Sequence, residues 1–275
     1  MPELPEVETI RRELAPHLEG RRIRALRIIK PDILLAGARP ADISTAVQGT
    51  SILAVGRRGK WLLFELDNAV LVTQLRMTGR FAVGRGPAPP VEEFRHVAAE
   101  FDLDDGRTLF YDDVRRLGGF LLLSHEEWRR AEARFGPEPL EPRFRARDLG
   151  SVLRRGRLPV KNALMDQSRL AGIGNIYASE ALHAAGIGPA RAAETLTDEE
   201  VRALHRSLRR ILRRALDESG TTFDSYRAVN GRSGSFQERL RVYGREGEAC
   251  NRCGAPIRRI VQSGRSSFFC ADCQV

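Results

Sequence analysis

Every cysteine of the chain falls in its last stretch, as Cys250-x-x-Cys253 and Cys270-x-x-Cys273. The interval between the two pairs lets four thiolates converge tetrahedrally on one zinc ion. Four thiolates leave no open coordination position. The metal is therefore expected to be structural, stabilising a hairpin with too little core of its own. Two redox CxxC pairs are the alternative, but both would have to arise together at this spacing. Residues 227 to 275 hold nine arginines against four acidic residues, so more than half of the net charge of +9 gathers around this finger. Such a surface fits a phosphate backbone. Zinc ribbons also mediate protein contacts, and the finger alone does not separate the two uses.

The elements that must carry this site are legible in the patterning. At 275 residues and 42% hydrophobic composition the chain buries a sizeable core and exceeds a typical single domain. Its 45 basic against 36 acidic residues point to a polyanionic partner. Only Lys30, Lys60 and Lys161 are lysine, so an isolated arginine is read as solvated surface charge. No stretch approaches the roughly 20 apolar residues of a membrane span, and MPELPEVETIRREL lacks the apolar core of a secretory signal. A cytosolic protein is expected, and a reducing compartment again favours metal over disulfides.

Helical spacing of Val7, Ile10, Leu14 and Leu18 predicts a first helix from about Pro5 to Leu18. From about Ile23 to Ser124 short apolar runs such as WLLFEL, AVLVTQL and RTLFYD alternate with turn signals at Asp67-Asn68 and Asp104-Asp105-Gly106. That half reads as an antiparallel sandwich or barrel. The passage GPEPLEPRFRARD reads as a linker. Beyond it NIYASEALHAAG predicts a helix with Asn175 as N-cap and Gly186 as its stop. Thr197-Asp198-Glu199-Glu200 has capping-box spacing and opens a second helix through Val201, Leu204, Leu208, Ile211, Leu212 and Leu216.

Taken together, MPELPEVETIRREL, GRRGKWLLFEL, QLRMTGRF, GIGNIYASEAL and VYGREGEAC with GRSSFFCADC resemble the bacterial formamidopyrimidine-DNA glycosylases, in the family's order and across the whole chain. The resemblance implies an α+β protein. Its parts would be a helix and antiparallel β-sandwich at 1–135, a linker at 136–150, a helix-two-turn-helix domain at 151–235 and a zinc finger at 236–275. It also implies a monomer without membrane contact, acting on double-stranded DNA that contains oxidised bases or abasic sites and binding one structural Zn2+. The implied reaction is excision of oxidised purines followed by strand cleavage at the abasic site.

The resemblance also assigns roles. Removal of Met1 would expose the secondary amine of Pro2, whose reference pKa of about 7.7–8.0 leaves part of it neutral. The positive end of the first helix disfavours its protonation further. A neutral amine can attack the sugar carbon bearing the damaged base and form an iminium. Glu3 resembles the general acid, and Lys60, in the turn GRRGK, is placed to reach a phosphate or assist elimination. Arg265 resembles the arginine that clamps the phosphate of the flipped nucleotide. Asn175, with Gly172 and Gly174, is a phosphate-binding turn, and Lys161 is a weaker phosphate candidate. Met77, Arg115 and Leu117 resemble the residues that fill the vacancy left by the extruded base. Core packing is the alternative for Met77. Surface charge is the alternative for Arg115, and Glu6 and Glu8 read as surface glutamates.

Two positions depart from the family pattern. Leu117 stands where phenylalanine is commoner, replacing a stacking wedge by an aliphatic one. Phe94 stands first in a commonly histidine pair whose second member, His96, remains, at the expense of one phosphate contact. Two other readings stay open: an endonuclease VIII-like enzyme for oxidised pyrimidines, and a non-catalytic zinc-finger protein that binds damaged DNA. PELPEV and the Met77 block favour the purine enzyme; Pro2, Glu3 and Lys60 disfavour a non-catalytic role. Charge alone also permits RNA, but no RNA-reading motif is present.

Overall fold

A computed structural model of the chain describes residues 1–86, 88–90, 92–222, 229 and 234–275. They divide into two compact units, Met1–Ala133 with Glu218–Ser235, and Arg134–Asp217 with Phe236–Val275.

The first unit begins with α1 (Leu4–Leu18), which has Pro5 in its first turn, where a missing N–H costs nothing. Its stripe of Val7, Ile10, Leu14 and Leu18 is buried, as the spacing predicts. The strands are β1 (Ile23–Ile28), β2 (Ile52–Arg58), β3 (Trp61–Leu66), β4 (Val70–Gln74), β5 (Gly79–Arg85), β6 (Val97–Leu103), β7 (Arg107–Asp113) and β8 (Gly119–Leu123), with α2 (Pro40–Val47) before β2 and α3 (His125–Glu132) after β8. They form two four-stranded antiparallel sheets, ordered β1-β6-β7-β5 and β2-β3-β4-β8, so the sandwich rather than the barrel is realised. Aromatic side chains join the sheets. Phe64 on β3 meets the ring of Phe81 on β5 edge-on at 5.7 Å, and Phe120 on β8 meets Tyr111 on β7 at 4.8 Å. The apolar stripe of α1 belongs to the same core.

The second unit holds α4 (Ala146–Leu153), α5 (Val160–Met165), α6 (Asn175–Ala185), α7 (Asp198–Asp217) and a hairpin of β9 (Ile257–Gln262) and β10 (Arg265–Cys270). The capping box of α7 forms as expected: the Thr197 N–H donates to Glu200 Oε2 at 2.8 Å, and the Glu200 N–H donates to Thr197 Oγ1 at 3.2 Å. Val201, Leu204, Leu208 and Leu212 turn inward.

Four boundaries differ from the sequence reading. The 136–150 passage is not a linker; it belongs to the second unit, where Phe144 and Leu149 enter the core and α4 starts at Ala146. Prolines there set the path of the chain without preventing its few apolar residues from packing. Residues 218–235, expected with the helical domain, group with the first unit, and the finger groups with the helices. The N-cap of α6 is Gly174, with Asn175 one position inside, while Gly186 ends the helix in a left-handed conformation at φ 75° as expected. No helix among the described residues is long and apolar enough to cross a membrane.

Candidate active site and metal centre

In the first unit the chemistry-bearing residues gather where α1 begins. Pro2 is buried and Glu3, only 2% exposed, is the helix N-cap. The Glu3 N–H donates to Glu6 Oε2 at 2.7 Å, and the Thr221 N–H donates to Glu6 Oε1 at 2.8 Å. Glu6 is thus a buried brace rather than a surface glutamate. The chain's amino group, on Met1 next to Pro2, is held below its ordinary value of 8.0 by burial and by the charge of Lys60, against the opposing pull of Glu3 and Glu6. This amine, the two carboxylates and the lysine therefore share one electrostatic environment.

Lys60 reaches this corner through its hairpin. Arg58 pairs with Trp61 across β2 and β3, leaving Gly59-Lys60 as a two-residue turn, with Gly59 at φ 57°. Arg57 pins the turn to the helix: its guanidinium donates to the Gly59 carbonyl at 3.0 Å and to Glu8 Oε2 at 3.0 Å. Burial alone would raise the pKa of Glu8. Hydrogen bonds from Arg11, Arg57 and Arg12 overcome it and pull the carboxyl down to about 2. Glu8 too was read as a surface residue. The missed signal was the spacing of Glu8 to Arg11 and Arg12, three and four residues on along the same helix.

The other first-unit candidates lie on exposed loops. Met77 is 40% exposed and Leu117 48%, and Arg115 is also exposed, so core packing is not the role of Met77. Arg76 and Arg116 beside them adopt positive φ of 51° and 49°, which costs a non-glycine side chain roughly 1–3 kcal/mol. His96 is exposed while its N–H donates to Asp112 Oδ1 at 2.5 Å. Phe94 is buried in a side cluster with Ala82 and Phe110, under the Arg80 guanidinium at 4.6 Å. The departure at 94 therefore exchanges a polar position for packing.

In the second unit, Gln167 staples the loop before α6: its side chain accepts from the Gly172 N–H at 2.8 Å and donates to the Ile173 carbonyl at 2.8 Å. Asn175 follows at the helix start, and its buried Oδ1 has no hydrogen-bond partner among the described residues. Arg265 is exposed at the first position of β10. Lys161 is 1% exposed, and its Nζ donates to the Ser266 carbonyl at 2.9 Å and Ser267 Oγ at 2.7 Å. It ties α5 to the hairpin that presents Arg265. Both residues line one concavity of about 210 Å³ with Asn162 and Ser263.

The Sγ atoms of Cys250, Cys253, Cys270 and Cys273 all lie within 4.8 Å of one another, with Cys253 to Cys270 at 3.4 Å and Cys250 to Cys273 at 4.0 Å. Zinc with thiolates at its usual distance of about 2.3 Å requires tetrahedral edges near 3.8 Å, so the cluster fits one structural zinc. His183 Nε2 stands 3.6 Å from Cys250 Sγ, an outer partner the cysteine spacing gave no sign of. Glu180, one turn earlier, accepts the N–H groups of Arg241, Val242 and Tyr243, each at 2.9 Å, and so ties α6 to the segment entering the finger.

Three family models match in order: the formamidopyrimidine-DNA glycosylase N-terminal domain over residues 1–120, the H2TH domain of the same glycosylases over 135–226, and the zinc finger found in FPG and IleRS over 247–275. The chain belongs to the formamidopyrimidine-DNA glycosylase family. A relative of that name from Heliobacterium modesticaldum is 45% identical over 278 residues, covering 100% of both chains. Among solved structures, the Lactococcus lactis Fpg in complex with DNA containing an abasic site superposes with a TM-score of 0.89 at 34% identity, over 99% of each chain. A MutM in complex with DNA containing carbocyclic 8-oxo-G gives the same TM-score, identity and coverage. Family membership establishes a DNA-repair glycosylase architecture with a zinc finger, in the order read from the sequence.

Proposed function

We propose that this chain is a bifunctional DNA glycosylase and abasic-site lyase that removes 8-oxoguanine and formamidopyrimidines from double-stranded DNA as a monomer. The observation that carries the reading is the crowding of Glu3, Glu6 and Lys60 around the amino terminus beside the buried Pro2, an amine whose pKa is lowered by desolvation and Lys60. An amine in that setting is neutral more often than an exposed one, and Pro2, once Met1 is removed, supplies it as a secondary amine.

In the proposed sequence the Pro2 nitrogen attacks C1′ and the bond from C1′ to the damaged base breaks. Glu3 delivers a proton to the ring oxygen as the deoxyribose opens, and the nitrogen's own proton passes to the departing base, which leaves with the bonding electron pair, so that the iminium carries one positive charge. That iminium acidifies the neighbouring C2′ proton. Its removal expels the 3′ phosphate, and a second elimination expels the 5′ phosphate before water hydrolyses the iminium and frees Pro2. Arg265 and Asn175 hold the phosphates, with Lys60 at the reacting end. Met77, Arg115 and Leu117 enter the space vacated by the extruded nucleotide, and His96 contacts the backbone. Zinc fixes the hairpin carrying Arg265 and takes no part in the bond changes.

The preference for purines rests on relatedness to enzymes whose solved complexes hold 8-oxo-G DNA. A borohydride-trapping panel tests it. Faster trapping on 8-oxoguanine than on thymine glycol is expected; the reverse order would make the chain an oxidised-pyrimidine enzyme.

A further inference from the structure

Two loops cross between the sheets of the first unit side by side. One, residues 75–78 with Met77, leads from β4 to β5; the other, residues 114–118 with Arg115 and Leu117, leads from β7 to β8. Their ends are ladder partners, Gln74 with Gly119 in one sheet and Gly79 with Asp113 in the other. Between those ends, hydrogen bonds join the loops directly. Asp113 is fully buried; its Oδ1 accepts from Thr78 Oγ1, and its Oδ2 accepts from the Gly118 N–H at 2.8 Å and from the Tyr111 hydroxyl at 3.2 Å. Thr78 Oγ1 accepts in turn from the Arg115 N–H at 3.1 Å. The hydroxyl therefore donates to one end of the second loop while receiving from its middle.

The glycines at the loop ends fit the same picture. A Cβ on Gly79 would stand 2.6 Å from the Tyr111 hydroxyl, and one on Gly118 would stand 2.3 Å from it. Both backbones thus press against one phenol, and neither tolerates a side chain. The positive φ at Arg76 and Arg116 falls inside the two loops that this bracket joins.

We propose that Thr78 and Asp113 lock the Met77 loop and the Arg115–Leu117 loop into one rigid wedge, acting as positioning residues that couple base extrusion to reading of the orphaned base. This rests on the reading that Met77, Arg115 and Leu117 contact DNA. Neither bracket residue is among those assigned to the reacting sugar, so the coupling is expected to matter only where a base must be displaced.

The test uses the full zinc-loaded chain with Thr78→Val, which keeps the side-chain shape and removes both hydrogen bonds, Thr78→Ser, which keeps them, and Met77→Ala as the reference. Misplacing a contact group by about an ångström costs up to about 100-fold. Thr78→Val should therefore slow excision of 8-oxoguanine from duplex DNA by between about 10-fold and 100-fold and narrow the discrimination between cytosine and adenine opposite the lesion. Cleavage of a preformed abasic site in single-stranded DNA, which needs no extrusion, should stay within about twofold of the unmodified chain. Thr78→Ser should restore duplex excision. If Met77→Ala slows duplex excision and Thr78→Val does not, the bracket is refuted while the contact reading stands. If neither slows it, the contact reading fails and the bracket with it. Equal losses on duplex and single strand would show a general disturbance of the sandwich and overturn the proposal.

Discussion

The sandwich and the finger present their reactive groups by opposite means. Around Pro2 and Glu3 the scaffold is a large apolar core: Phe64, Phe81, Phe101, Tyr111 and Phe120 interlock between the sheets, and α1 buries its stripe in the same cluster. Around Arg265 the buried cluster is only Val242, Cys250, Ile257 and Cys270, two of which are zinc ligands. Where apolar side chains are plentiful, packing fixes the helix cap; where they are scarce, the metal and a few polar ties fix the hairpin. The two regions should therefore respond independently to different insults.

The largest effect is expected at the finger. Structural zinc contributes roughly 10–16 kcal/mol to folding in isolated fingers. Chelation or Cys253→Ser should release the metal and abolish DNA binding while the sandwich keeps its melting transition. Normal DNA affinity in metal-free protein would contradict the comparison. The converse lesion is Phe120→Ala, which should destabilise the first unit by about 3–5 kcal/mol yet leave zinc content at one ion per chain by metal analysis.

A smaller break targets the tie between α6 and the finger. Glu180→Ala leaves three backbone N–H groups without their acceptor, and each buried donor left unmade costs about 1–3 kcal/mol before relaxation and water offset it. Hydrogen exchange should show Arg241, Val242 and Tyr243 opening first, with zinc retained. The smallest effect concerns Glu8. Its folded pKa of about 2 lies below the unfolded value near 4.5, so its stabilising contribution is complete above about pH 4.5 and is lost as pH falls toward 2. Glu8→Gln should cost about 1–2 kcal/mol at neutral pH, after allowance for partial exposure, and flatten the acid limb of the first unit's melting curve while leaving the finger's unchanged.

Much of this was legible in the residues, for identifiable reasons. Thr197 and Glu200 declare a helix start because capping is local, and the paired cysteines declare a metal site because ligand spacing is local. The stripe of α1 is a period that needs no tertiary information. What escaped depends on contacts distant in sequence. Glu6 meets Thr221, Lys161 meets Ser266 and Ser267, and Phe144 meets the ring of His205, none of which a window of neighbouring residues can indicate. The bracket of Thr78 and Asp113 belongs to the same class. Arg227 and Arg232, counted in the basic stretch, lie outside the described residues.

The central claim is that the amine of Pro2 is the nucleophile, and one measurement tests it most directly. Two preparations, one processed to begin at Pro2 and one retaining Met1 in every molecule as shown by mass spectrometry, are incubated with 8-oxoguanine duplex and borohydride across a pH series. An amide nitrogen in the Met1-Pro2 bond has no nucleophilic lone pair, so only the processed chain should yield a trapped covalent complex. Its yield should rise with pH, because deprotonation frees the amine. Lesion-DNA affinity should be similar in both. Full excision and trapping by the chain that retains Met1 would contradict the account and require another amine as nucleophile, such as Lys60.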